Sequence, residues 1–389
     1  MSELTEARWS ETKAALLEGL KGNRKSVMDV TLENTRKYIN ESASTGATSA
    51  GNVATLNRVI LPVIRRVMPT VIANELVGVQ PMTGPVGQIH TLRVRYAEAS
   101  SGTTTTTAGE EALSPFKIAE AYSGDNSSTK AGATSALEGT GGKKLSIQIL
   151  KQTVEAKSRK LSANWTFEAA QDAQAQQGID IEAEIMAALA QEITAEIDQE
   201  IIGSLYSLAG TAFNTFDQQA VSGTATFVGD EHAALAVLIN RAANAIAQRT
   251  RRGAGNYAVV SPTALTILQS ATTSAFARTT EGTFEAPTNN KLVGTLNSSM
   301  KVYVNTYSST DDVLVGYKGS SEADAPAFYC PYIPLMSSGV VLNPTTFEPT
   351  VSFLTRYGYV ELSNTASSLG NAADYLAKVE VTTANLSFS

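Results

Sequence analysis

"LVGVQPMTGPVGQIHTLRVRY", Leu76 to Tyr96, is the stretch on which the reading of this chain turns. Ahead of Gly78 the apolar pairs Val59/Ile60, Val63/Ile64, Val67/Met68 and Val71/Ile72 recur every four residues, a helix stripe. Beyond it the period drops to two. Leu92, Val94 and Tyr96 share one side of a strand, and Thr91, Arg93 and Arg95 share the other. Residues 97–143 follow, made largely of Thr, Gly, Ser and Ala, with Leu113, Phe116, Ile118, Tyr122 and Leu137 as their large apolar side chains. A second extended segment begins at Lys144, "KLSIQILKQTVEAKSRKLSANW", in which Leu145, Ile147 and Ile149 alternate with Ser146 and Gln148. The apolar side switches at Leu150, which points to a bulge or a strong twist.

A structureless insert of that length does not sit inside a compact domain. The pattern therefore predicts a protruding hairpin arm over 76–163 with a loose tip. A two-stranded hairpin alone is marginal in water, so the arm needs a surface, and a second copy of the chain supplies one. The arm residues expected at that contact are Leu92, Arg93, Val94, Arg95 and Tyr96 on the first strand, and Lys151, Lys157, Arg159 and Lys160 on the second. The cations either pair with acidic faces of neighbours or keep an edge strand from pairing wrongly. Both readings stay open.

Upstream, residues 1–41 read as helical, with Leu4, Ala7, Ala14, Leu17 and Leu20 near a helical period, a break at Gly22–Asn23, and a second helix over about Lys25–Glu41. "SASTGATSAGN" (42–52) has the composition of a linker. In the helix of 56–76, Pro62 suits a first turn and Pro69 predicts a kink.

Downstream lies the most regular segment. Ile181, Ile185, Leu189, Ile193, Ile197, Ile201 and Leu205 recur every four residues. Each step turns about 400°, so the stripe drifts about 40° per step around the helix. A winding stripe predicts a spine crossing several elements, with these seven residues as its core. Its other positions are acidic: Glu182, Glu184, Glu192, Glu196, Asp198 and Glu200. Leu161 to Asn240 holds 12 acidic residues and no Lys or Arg. Gly178 and "AQDAQAQQ" mark a break before the spine. Residues 211–340 read as mixed α/β. "GDEHAALAVLINRAANAIAQRTRRG" has Asp230 and Glu231 at its start, Arg249, Arg251 and Arg252 at its end and Gly253 as the stop. "NYAVVSPTALTILQS" is a buried strand entering a helix capped by Ser261 with Pro262 in the first turn. "MKVYVNTY" and "DVLVGYKG" are strands, and more strands and loops follow Gly339.

The 389 residues are 43% hydrophobic, enough for a core, but only 17% charged against about 25% in ordinary globular chains. A surface poor in charge fits a chain covered by neighbours. The net charge of -7 argues against a phosphate-gripping nucleic-acid binder. Cys330 is the single cysteine, so no intramolecular disulfide forms. No apolar run of about 18 residues predicts a membrane helix, and "MSELTEARWSETKAALLEGL" lacks the order of a signal peptide. The expectation is an intracellular soluble protein.

Catalytic constellations are missing. His90 and His232 stand in no ligand spacing, and Cys330 in "FYCPYIP" reads as a packed thiol. "GTGGKKL" (139–145) fails as a phosphate loop because Leu137 stands where the first glycine belongs and Lys144 where Ser or Thr belongs. "MSSGV" (336–340) lacks the first glycine of a nucleophile elbow. The expectation is no enzyme, no cofactor and no metal.

Three blocks carry a resemblance. "LVGVQPMTGPVGQIHTLRVRY" (76–96), "VLVGYKGSSEADAPAFYCPYIPL" (313–335) and "TRYGY" (355–359) resemble, in order, segments of the major capsid proteins of T-even-like tailed phages. The resemblance implies the α+β Hong Kong phage-type capsid fold, with an N-terminal helical arm (1–75), an extended hairpin loop (76–163), a peripheral domain with a long spine helix (164–210 and 341–389) and an axial domain (211–340). It implies self-assembly into hexamers and pentamers of an icosahedral head, enclosing double-stranded DNA without sequence-specific binding and without a membrane. Vertex, decoration, portal and scaffold proteins are the further partners it implies, and the virion, assembled in the host cytoplasm, is the implied location. The acidic stretch would then face packaged DNA. The family's maturation protease cuts after a glutamate preceded, two positions earlier, by an apolar residue. Leu16-Leu17-Glu18 and Ile39-Asn40-Glu41 fit that pattern, a common one in helices, so Glu18 and Glu41 are the candidate processing sites. The competing readings are an encapsulin-like nanocompartment shell and, in another class, a β-rich phage tail or adhesin component, which would show internal repeats.

Overall fold

A computed structural model describes residues 9, 13–14, 16–17, 20–45, 71–100, 105–112, 122–124, 131–138, 141–177, 180–221, 228–271, 276–278, 291–343, 345–346, 348–363 and 370–386. Among the described residues, five helices of nine residues or more and fourteen strands run in the order α1 (Asn23–Thr45), β1 (Gly78–Val79), β2 (Val86–Tyr96), β3 (Leu145–Glu155), β4 (Lys157–Asn164), α2 (Phe167–Gln177), α3 (Ile181–Ala209), β5 (Asn214–Phe216), α4 (Val228–Thr250), β6 (Tyr257–Val260), α5 (Pro262–Ser270), β7 (Phe276–Arg278), β8 (Lys291–Leu296), β9 (Met300–Val304), β10 (Val313–Gly316), β11 (Ala327–Ser337), β12 (Val341–Leu342), β13 (Pro349–Glu361) and β14 (Leu376–Val381). The chain is α+β. The proline-bearing segment 51–70 and Glu18 lie outside the described residues, as do the side chains of Leu92, Arg93 and Glu41.

The structure divides into two compact units, residues 1–87, 153–201 and 328–360, and residues 88–152, 202–327 and 361–389. The first is built on a five-stranded sheet in the order β1-β11-β13-β12, with β4 also paired to β13. Period-two patterning makes β13 what it is: Val351, Phe353, Thr355 and Tyr357 are buried, and the residues between them are less so. β4 runs antiparallel to β13 from Thr350↔Asn164 to Tyr357↔Lys157. In α3, Ile193, Ile197 and Ile201 are buried at the expected four-residue spacing. The Asp198 carboxylate on the same helix accepts the Ile72 N–H at 2.9 Å, satisfying a helical turn that begins at Ala73.

α1 belongs to this unit. Val27, Met28, Thr31 and Leu32 are buried, and the Asn34 amide donates to the carbonyls of Met82 and Tyr332 at 2.6 and 3.0 Å. The helix extends through Thr45, so it takes the first residues of the expected linker. Ser, Thr and Ala there cost little in helix propensity, and composition alone overstates the linker.

The second unit carries a seven-stranded mixed sheet, β5-β14-β10-β6-β9-β8-β7. The strands of β6 and β10 are buried throughout, and α4 and α5 contribute Leu235, Ile239, Ile246, Ile267 and Leu268 to the same core. Ser261 caps α5 as expected, accepting the Ala264 N–H at 3.1 Å. The end of α4 differs from the sequence reading. The left-handed residue is Arg251, at φ 51°, and not Gly253. Gly253 is required for another reason: a Cβ there would lie 2.7 Å from the Tyr317 ring.

β2 and β3 form a separate two-stranded sheet. Within the insert between them, the described residues 105–112 and 122–124 pack at its base, and much of the tip expected to be loose lies outside the described residues. Tyr96, Ala112 and Tyr122 are buried together with Val94 against them, and the two tyrosine rings are 4.4 Å apart. The Tyr122 hydroxyl donates to the Lys144 carbonyl at 2.6 Å, and the Lys143 ammonium lies 5.3 Å from its ring. Tyr96 at the end of β2 and Tyr122 within the insert thus pack ring against ring at its base. Tyr122 stood among the insert's few large apolar side chains in the sequence, but its pairing with Tyr96 is set only in three dimensions, where tyrosine packs as a large apolar body with a polar handle.

Candidate assembly surfaces

The arm shows its apolar side chains to solvent. Leu145, Ile147 and Ile149 of β3 are 49%, 71% and 67% exposed, and Val86 at the start of β2 is 58% exposed. The three β3 residues share one face by the strand period, and Lys151 continues that face. Burying one such isoleucine yields about 2 kcal/mol, so the ridge stores several kcal/mol that the described chain leaves unused. Patches of this kind mark contact sites.

Of the arm residues singled out by sequence, Arg95 and Tyr96 are buried, Val94 is half-buried, and Lys151 is exposed on β3. Lys157, Arg159 and Lys160 lie on β4, in the five-stranded sheet. The chain changes partner at Ala156, whose N–H donates to the Pro85 carbonyl at 2.9 Å. Gly358 on β13 permits this crossing, since a Cβ there would meet the Val154 side chain and the Glu155 carbonyl.

Arg159 has partners within its own unit. Its Nη1 donates to Glu196 at 2.7 Å, its Nη2 to Glu200 at 2.5 Å and its Nε to the Tyr357 hydroxyl at 2.6 Å. Tyr357 in turn donates to Glu200. Burial disfavours the charge on Glu200, but the hydrogen bonds from Arg159 and Tyr357 outweigh it and hold the carboxyl below its ordinary value. Burial also opposes the Arg159 charge, and the bonds to Glu200 and Tyr357 again prevail and raise its pKa. Burial, followed by the bond to Glu200, pushes the Tyr357 phenol up to about 12. The arrangement ties β4 to the spine helix. Glu196 and Glu200, one turn apart on α3, were legible as a pair, but Arg159 as their partner was not, because it comes from a strand 37 residues upstream of Glu196.

Along the spine, Ile181 and Ile185 are half-buried, while Leu189, Ile193, Ile197, Ile201 and Leu205 are buried. The opposite side of the first turns is open: Asp180, Ala183, Glu184, Ala187, Ala188 and Glu192 are exposed.

Reactive groups are held inert. The Cys330 thiol is buried, which pushes its pKa up to about 11. His232 is buried with Nδ1 2.6 Å from the Ser270 hydroxyl, and burial lowers its pKa. His90 is exposed on β2. Among the described residues no group of three His, Cys, Asp or Glu is placed to hold a metal ion, and no helix is long and apolar enough to cross a membrane.

A family model described as major capsid protein Gp23 matches residues 53–381. The major capsid protein of Vibrio phage KVP40 is 30% identical, over 85% of this chain and 82% of that protein. The major capsid protein of Enterobacteria phage T4 is 29% identical, over 82% of this chain and 78% of that one. Among solved structures, the capsid of Myoviridae phage XM1 matches with a TM-score of 0.44 at 10% identity, over 80% of this chain and 92% of that chain.

Proposed function

Because this chain belongs to the Gp23 family of major capsid proteins, we propose that its work is done through contacts between copies, with the β2–β3 arm as the main element donated from each copy to the next. It is a structural protein of the tailed-phage virion, not an enzyme, and it assembles into the capsid lattice. The observation that carries the arm's role is the exposed ridge of Leu145, Ile147 and Ile149. A ribbon of two strands with bare isoleucines is stable where another surface covers it.

The finer reading is that the lattice is made of hexamers and pentamers closing into an icosahedral head around double-stranded DNA, which is held without sequence-specific contacts. Individual interfaces need be no stronger than a standard one of about 1,600 Å², since each copy makes several and closure multiplies their effect. Vertex, decoration, portal and scaffold proteins would meet the same lattice. The membership of the family favours this reading over a cargo compartment or a fibrous component.

The test is electron microscopy and sedimentation of the purified chain. Wild type should form closed hollow shells, and Ile147→Asp with Ile149→Asp should stay unassembled with an unchanged circular-dichroism spectrum and melting temperature. Shells of normal size from the double variant would overturn the arm's role. A wild-type chain that stays single at high concentration would overturn the assembly reading.

A further inference from the structure

We propose that Glu111 is an exchangeable latch: its carboxylate holds the base of the insert towards Arg252, just past α4, and crosses to Arg95 on β2 when the insert swings away, so that the insert undocks without unfolding. Neither position of Glu111 depends on which surface the arm meets.

Arg95 is a buried cation with an empty edge. It is 7% exposed, yet its Nε and Nη2 have no hydrogen-bond partner. These two nitrogens form one side of the guanidinium, the fork that takes a carboxylate with two parallel bonds. A buried charge left without such a partner is costly. Directly opposite Arg95 stands Glu111. The Tyr96 N–H donates to the Glu110 carbonyl at 2.9 Å, and the Ala112 N–H to the Val94 carbonyl at 2.6 Å. Those bonds flank the Arg95–Glu111 pair and make it a narrow one, with Cα atoms about 4.5 Å apart and side chains on one face. Rotation of the Glu111 side chain therefore suffices to fill the fork, with no shift of either strand.

In the docked position the Glu111 charge acts elsewhere. Burial opposes the charge on Arg252, but Tyr375, Asp324 and Glu111 outweigh it and raise its pKa. Burial pushes the Tyr375 phenol up to about 12; Arg252 opposes that rise, and Asp324, Glu111 and Asp374 add to it. Arg252 is fixed where it stands. Its Nη1 donates to Asp324 at 2.6 Å, its carbonyl accepts from the Tyr317 hydroxyl at 3.4 Å, and the Tyr317 and Tyr375 rings stack at 6.4 Å. All these groups and Arg95 belong to the same compact unit. Arg252 cannot follow a departing insert, so Glu111 exchanges one arginine for the other. The energies suit an exchange. Arg252 is exposed, so its attraction is screened, while the Arg95 fork offers two buried bonds against the cost of drying a carboxylate.

The experiment is a mutant cycle on the unassembled full chain, read by hydrogen exchange at the Tyr96 and Ala112 amides, which report the fold of the insert base. Arg95→Met alone should leave their protection unchanged or raise it, because it removes a cation whose fork is empty. Arg252→Met alone should leave it nearly unchanged, and the Arg95 Nε proton signal should move downfield as the fork fills. Together the two should lower protection about tenfold or more, the loss of a charge-assisted bond. On a Glu111→Gln background, Arg95→Met should again cost nothing. The amides of β6 and β10 should keep their protection throughout, which shows that each variant folds. An Arg95→Met effect that is the same whether residue 252 is arginine or methionine would overturn the latch, as would an Arg95 Nε signal that does not move in Arg252→Met.

Discussion

Replacing Arg159 with methionine removes three hydrogen bonds and keeps an unbranched stem on β4. The guanidinium is about one-third exposed and the Glu196 and Glu200 carboxylates somewhat more, so water screens both ion pairs and each is worth about 0.5 kcal/mol. The bond to the Tyr357 hydroxyl, on the more buried side, adds about 1 kcal/mol. The variant should therefore lose about 2 kcal/mol of stability at pH 7. The sign of its pH dependence follows from Glu200. Its carboxyl is held below the ordinary value in the folded chain, so its contribution is present above the unfolded pKa of about 4.3 and is lost as pH falls through the lower folded value. Urea unfolding of unassembled wild type and Arg159→Met, repeated from pH 7 to pH 3, should show a gap that narrows towards the acid end, leaving about 1 kcal/mol from the bond to Tyr357. A cycle with Glu200→Gln should give a coupling of about 1 kcal/mol at pH 7. A gap that stays constant down to pH 3, with no coupling, would refute the electrostatic account and leave the packing of the arginine stem as the cause.

Other outcomes follow from single observations. Gly316→Ala places a Cβ against the Tyr257 ring, its partner across β6 and β10, and should cost about 1–3 kcal/mol, read as a lower urea midpoint. Ser261→Ala removes the cap of α5 and should cost about 1 kcal/mol. Asn34→Ala removes the donor to two backbone carbonyls and should make α1 the first segment released in limited proteolysis. Cys330 should react with maleimide only after the chain is unfolded, because burial both hides the thiol and raises its pKa to about 11.

Local patterns were legible where short-range physics decides them. The four-residue recurrence from Ile181 to Leu205 made one helix of Ile181–Ala209, and the Ser261–Pro262 pair started α5. The α+β class and the two extended segments around residues 97–143 could be read in the same way, since periods of two and four are fixed by backbone geometry. The blocks at 76–96, 313–335 and 355–359 placed the chain in its family.

Which strand pairs with which was decided only in three dimensions. Leu145–Glu155 and Lys157–Asn164 read as one basic strand, yet β3 pairs with β2 and β4 with β13, almost 200 residues away in sequence. Arg159 thereby leaves the arm and meets Glu196, Glu200 and Tyr357. The insert's tyrosine core, the left-handed turn at Arg251 and the bare ridge of Ile147 and Ile149 are of the same kind. A sequence fixes what each residue can bury or bond. Whether it does so depends on which distant surface arrives beside it, and that is settled by the packing of the whole chain.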